Sequence, residues 1–98
     1  MRITDILWKE AVIEKLAAKH GVSIAEAEEV LLSKPVVRRM LRGHVRGEDV
    51  YAALARIRNG RYLIVFFIDK TRGMALPISA RDMNPAERKY YAKHKKRD

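Results

Sequence analysis

The 98-residue chain has no cysteine and no glutamine, and asparagine only at positions 59 and 84. Without cysteine there is no disulfide framework and no thiolate metal site. No apolar run approaches the roughly 20 residues of a membrane span. The opening MRITDILWKEA lacks the apolar block and cleavage site of a signal peptide. A soluble, cytoplasmic protein is therefore expected. Familiar catalytic motifs are missing too. There is no phosphate-binding P-loop and no serine nucleophile elbow, and the three histidines (20, 44 and 94) are far apart in sequence. These gaps leave an expectation of no cofactor and no metal.

What is present is positive charge, unevenly placed. The chain carries 21 Lys/Arg against 12 Asp/Glu, a net charge of +9. Residues 1–33 hold four of the basic and six of the acidic residues, a balance of −2, so residues 34–98 stand at +11. A basic region of this kind suits nucleic acid or an acidic protein partner. The plainer reading is a solvated basic surface. An apolar fraction of 48% over this length is enough for one domain, residues 1–98, around one modest core.

Hydrophobic spacing predicts an α+β order. Apolar residues at 6, 7, 8, 12, 13, 16 and 17 predict a first helix over 6–19, with Trp8 on its buried face and Gly21 at its end. Ser23 opens SIAE, a capping box with Glu26 at the third helical position, and Pro35 stops the second helix near Ser33. Strands are predicted over 36–41, 50–58, 61–68 and 74–81, a meander of three or four, with Asn59-Gly60 as a hairpin turn. RYLIVFFI is apolar on both faces and reads as a central strand. Pro77 removes a ladder donor and argues for an edge or a bulge. Asn84-Pro85-Ala86-Glu87 starts a basic third helix running to about Lys93, with a frayed tail over 93–98.

The remaining route to chemistry is charge. Cleavage of RNA through its 2′-hydroxyl needs a proton acceptor, cations for the developing phosphorane charge and an acid for the leaving oxygen. Arginine suits the middle role through its planar fork. Arg81, at a strand end with its guanidinium open to an anion, is the first candidate, followed by Arg61 beyond the hairpin turn. Arg56 and Arg58 on the facing strand read as a solvated strand face or as phosphate contacts. Arg88 on the basic helix joins them as a nucleic-acid contact. His20 is a candidate base or acid, or simply a packed helix-end histidine. Glu48 is a candidate carboxylate base or an anchor for a neighbouring arginine. Glu87 reads better as a first-turn helix residue. Tyr90 and Tyr91 could stack on bases, though helical spacing sends at least one onto the sheet.

KHGV (19–22), GE (47–48), GR (60–61) and ISAR…ER..Y (78–81, 87–88, 91), in this order after Trp8, resemble the BrnT family of toxins from type II toxin–antitoxin modules. The resemblance covers about Ile6 to Tyr91. It implies a fold similar to RelE-type ribonucleases and metal-independent RNA cleavage. It also implies a BrnA-like antitoxin as partner, in a homodimer or in a heterotetramer with that antitoxin. Carried over motif by motif, it points to Lys19, His20, Glu48, Arg61 and Arg81 as catalytic residues. Two positions depart from the family pattern: Lys9 replaces an acidic residue and Leu16 an asparagine, which makes the first helix more apolar. The alternative is a basic RNA/DNA-binding or antitoxin-docking module without nuclease activity.

Overall fold

The computed structural model describes residues 2–41 and 48–95. Along them run β1 (Asp5–Ile6), α1 (Glu10–Lys15) with a π-helical continuation (Leu16–His20), and α2 (Ile24–Leu32). Then come β2 (Val36–Leu41), β3 (Val50–Arg56), β4 (Tyr62–Thr71), β5 (Met74–Asp82) and α3 (Pro85–His94). The α+β class holds. His44, the tail residues 96–98 and the Gly47 of the GE motif lie outside the described residues.

The first helix is shorter than its apolar spacing predicts. Asp5 and Ile6 instead pair in parallel with Met74 and Ala75, and Trp8 precedes the helix. The sheet therefore has five strands, in the order β1-β5-β4-β3-β2, and is mixed rather than a pure antiparallel meander. Gly73 makes this possible. Its φ of +81° turns the chain, and a Cβ there would lie 2.8 Å from Thr4 Oγ1 and 2.9 Å from the Arg2 carbonyl oxygen. The Gly73 carbonyl accepts from Thr4 N at 2.9 Å, so the N-terminal segment docks directly on the turn. Trp8 Nε1 donates to Glu28 Oε2 at 2.8 Å and ties the same segment to α2.

Both capping boxes form as spelled. Ser23 and Glu26 exchange side chain and backbone bonds at the start of α2, and Asn84 and Glu87 do so at the start of α3, with Pro85 in its first turn. Gly21, at φ +59°, takes the left-handed position that ends the π-helical stretch. Arg56 pairs with Tyr62 across the hairpin, with a turn bond from Gly60 N to the Ile57 carbonyl at 2.9 Å. Arg58, expected to end β3, lies in this turn. Pro77 marks a bulge, since Phe66 faces Ser79 while Phe67 faces Pro77. The extra residue, Ile78, gives its carbonyl to Lys15 Nζ at 2.8 Å.

Alternation along β3 and β4 sends side chains to two unequal cores. On one side Leu16, Val22, Ala27, Val30 and Leu31 close over Ala53, Leu63, Val65 and Phe67. On the other, Ala52, Leu54, Ile64 and Met83 meet the partly buried Tyr90 and Tyr91 of α3, which itself has no fully buried residue. No described helix is long and apolar enough to cross a membrane.

Candidate functional site

The ends of β4 and β5 nearest the Asn59-Gly60 turn gather most of the expected site residues. Arg61 lies there with every donor nitrogen in use. Its Nε donates to Asp82 Oδ1 at 3.2 Å and its Nη2 to Asp82 Oδ2 at 3.1 Å. Its Nη1 donates to the Gly21 carbonyl at 2.9 Å and to Glu26 Oε2 at 3.1 Å. The His20 carbonyl accepts a longer bond, 3.5 Å, from Nη2. Arg61 thus cross-links the α1/α2 turn to β5, which is a structural task. Hydrogen bonding to Asp82 raises its pKa despite partial burial, with Glu26 adding to the effect. Glu26 is held below the usual carboxylate range, first by the Ser23 backbone N–H and then by Asn59 and Arg61.

Arg81 points to the other side of the sheet, because it pairs with Ile64 while Asp82 pairs with Leu63. Its fork is filled as well. Nη1 donates to Glu87 Oε1 at 2.7 Å and Nη2 to Glu87 Oε2 at 2.9 Å, a bidentate pair. The guanidinium also lies 5.4 Å from the centre of the Phe66 ring. Hydrogen bonding to Glu87 raises the Arg81 pKa, and the same bond lowers that of Glu87. The arginine at the strand end is therefore not an open anion receptor. An acidic residue of α3 already sits in it, while the side chain keeps 36% of its exposure.

Lys19 is exposed and His20 half-buried, both at the C-terminal end of the π-helical stretch. The His20 carbonyl joins them to the Arg61 cluster. Glu48 is not brought in. It precedes β3, at the end opposite the turn, about 20 Å along the strand from Leu54 at ordinary strand rise. The arginine at that end, Arg39, pairs with Asp49 at 3.8 Å rather than with Glu48.

A second group of basic residues lies on the α3 side. The Arg88 guanidinium carbon sits 4.0 Å from the centre of the Tyr62 ring, and that of Arg56 sits 5.3 Å from the same centre. Arg38 rests on Tyr90 at 4.8 Å. Tyr90 and Tyr91 are both packed on the sheet, and Tyr91 Oη accepts from Arg56 N at 3.3 Å. Arg58 is exposed, its backbone N–H donating to Glu29 Oε2.

Sequence reasoning missed Glu26, Asp82 and Glu87 as arginine partners, and missed Tyr62 as the ring that collects two arginines. The signal for Tyr62 was available: it shares the strand alternation of Ile64 and Phe66. The signal for Glu87 was half visible, because its capping role hid its second bond. Among the described residues, no three His, Asp or Glu side chains cluster to hold a metal ion.

The family model described as the ribonuclease toxin, BrnT, of type II toxin–antitoxin systems matches residues 8–87, well over half of the chain. No curated protein matches it.

Proposed function

This chain belongs to the BrnT family of type II toxin–antitoxin ribonuclease toxins, and from that premise we propose that it cleaves RNA without a metal, at the turn-proximal end of β5. The observation that carries this reading is Arg81, an arginine on a rigid strand end, over the Phe66 ring and only partly shielded. Its fork already holds the two oxygens of a carboxylate, and a phosphate presents two oxygens in a similar way. Substrate phosphate would compete with Glu87 for that fork. Arg81 would then stabilise charge on the phosphorane. Lys19 and His20 stay proposed from the family motif, on the α1/α2 side of the sheet with the Arg61 cluster. Membership of the family implies an antitoxin partner, and a BrnA-like protein is the proposed one. A RelE-like fold is the proposed kinship.

One observation favours a second reading. Arg61 is saturated by protein acceptors and Arg81 is two-thirds so. Leu16, where the family pattern has a polar residue, is 1% exposed in the core and offers no chemistry. A basic module that binds RNA or docks an antitoxin without cutting would need nothing more.

The test is incubation of antitoxin-free protein with RNA in chelator-containing buffer, wild type beside Arg81→Ala. The expected result is cleavage by the wild type and a loss of at least about 100-fold in the variant, the scale of one lost charge-stabilising donor. Circular dichroism confirms that the variant is folded. RNA left intact by the wild type would transfer the case to the second reading.

A further inference from the structure

The arginines of this protein fall into two kinds. Arg61 and Arg81 spend their in-plane donors on carboxylates. Arg56 and Arg88 instead lie over the ring of Tyr62, their guanidinium carbons 5.3 and 4.0 Å from its centre. A contact with a ring gives a guanidinium no oxygen acceptor, so its N–H donors stay available to an anion. Among the described residues neither side chain has an ion pair or a hydrogen bond. The ring contact also removes rotamer freedom before any ligand arrives, which lowers the entropic cost of binding.

Two like charges converging on one ring repel each other, and an anion between or across them relieves that repulsion. Three acidic groups at this end of the sheet are already engaged. Glu87 is in the fork of Arg81, Asp82 is in the fork of Arg61, and Glu29 accepts from Arg58 N at 2.6 Å. Tyr62 is itself fixed by an edge contact with Tyr91, ring centres 6.1 Å apart. The pair is also in register with Arg81. Arg56 faces Tyr62, and two residues on Ile64 faces Arg81, all on one side of the sheet. By ordinary sheet spacings the backbone positions of Arg56 and Arg81 are on the order of 10 Å apart. Arg38 on Tyr90 continues the same arginine-over-ring arrangement away from Arg81.

We propose that Arg56 and Arg88, held over Tyr62, form a phosphate-binding subsite for single-stranded RNA, holding a backbone phosphate that flanks the one presented to Arg81. The choice of RNA as ligand rests on the cleavage reading above; the subsite itself rests on the unspent arginines over the ring. It gives the enzyme a grip on the strand that is independent of base identity. It also assigns distinct work to the two arginine kinds: the unspent pair captures the strand, and the carboxylate-paired Arg81 engages the reacting phosphate.

The experiment is binding of a short 2′-O-methyl single-stranded RNA, which cannot be cut through its 2′-position, followed by fluorescence anisotropy over a salt series. The variants are Arg56→Gln/Arg88→Gln, the charge-matched Lys70→Gln/Arg72→Gln at the end of β4 and the turn after it, Tyr62→Phe and Tyr62→Leu. The first pair should weaken binding roughly tenfold or more and flatten the plot of log affinity against log salt by about 0.7, the value for one phosphate on a single strand. Tyr62→Leu should weaken binding with both charges intact, and Tyr62→Phe should not. An equal loss in the Lys70/Arg72 pair would reduce the effect to net charge and overturn the subsite. So would inorganic phosphate displacing the RNA at matched phosphate concentration, which would mark a free-anion site. So would loss of antitoxin binding with RNA binding intact in the Arg56/Arg88 pair. If the wild type never cuts RNA while the Arg56/Arg88 pair still loses binding, the cleavage reading fails and the subsite stands. If the wild type cuts and the pair binds normally, the subsite alone fails.

Discussion

Arg61 and Arg88 flank opposite sides of one sheet, and their surroundings put them to opposite uses. On the α1/α2 side the helices cover β3 and β4 with fully buried aliphatics, and Arg61 closes the open end by bonding Gly21, Glu26 and Asp82. On the α3 side the cover is one helix with no fully buried residue, and Arg56 and Arg88 lie over the Tyr62 ring with no ion pair among the described residues, while Arg81 pairs with Glu87. The same side chain thus acts as a staple where it bridges the α1/α2 turn to β5, and is the proposed receptor where it meets the Tyr62 ring. The fully buried aliphatics are concentrated on the first side, and the proposed ligand capture is on the second.

The strongest way to break that division is to empty the first core. Phe67 is 0% exposed, in the middle of β4. Phe67→Ala should cost about 3–5 kcal/mol, the usual range for a buried phenylalanine, read as a lower denaturation midpoint. If this substitution costs less than about 1 kcal/mol, the α1/α2 side is not where the fold is held, and the contrast between the two sides disappears.

The arginines themselves give a sharper comparison at smaller amplitude. Arg61→Ala strips acceptors from the α1/α2 turn and β5 at once and should cost about 2 kcal/mol, the scale of hydrogen bonds to charged groups. Arg88→Gln removes a charge from an exposed side chain without an ion pair and should stay within about 0.5 kcal/mol of wild type. Paired thermal melts read both. Equal losses would mean that Arg88 is a staple too, and would weaken its assignment as a receptor.

How far the sequence could be read follows from the range of each interaction. Both capping boxes, the Asn59-Gly60 turn and the bulge at Pro77 were legible because each depends on residues within a few positions. The start of the first helix was not. Ile6, Leu7 and Trp8 continue its apolar spacing, but pairing of Asp5 and Ile6 with Met74 and Ala75 takes them out of it. Tertiary pairing overrode local periodicity there, and no local signal in this chain announces a parallel partner nearly 70 residues away. The site divides in the same manner. Arg61 and Arg81 could be picked out by type and position. Their carboxylates could not, since Glu26 is 35 residues from Arg61 and Asp82 is 21. Glu48 belonged to a motif that the fold carries to the far end of the sheet.

Acid provides the mildest probe, because it acts on the carboxylates and leaves every arginine charged. Glu87 is pulled below its ordinary value of 4.5 chiefly by Arg81. Glu26 is pulled below the same value chiefly by the Ser23 backbone N–H, with Arg61 as a lesser contributor. A carboxylate whose folded pKa is depressed contributes stability that is fully present above its unfolded pKa and is lost as pH falls through the folded one. Stability should therefore be flat through neutral pH and begin to decline below about 4.5, continuing to fall as the two depressed groups take up protons. Replacing Arg81 by alanine removes the main cause of the Glu87 shift and none of the causes of the Glu26 shift. Glu87 should then titrate nearer 4.5, while Glu26 should barely move, and carboxylate NMR shifts read each group separately. A Glu26 displacement as large as that of Glu87 would show that the two arginine clusters communicate through Asp82 and that the sides of the sheet are not independent. If only Glu87 moves, the α3 side can change its charge without disturbing the α1/α2 side that holds the fold.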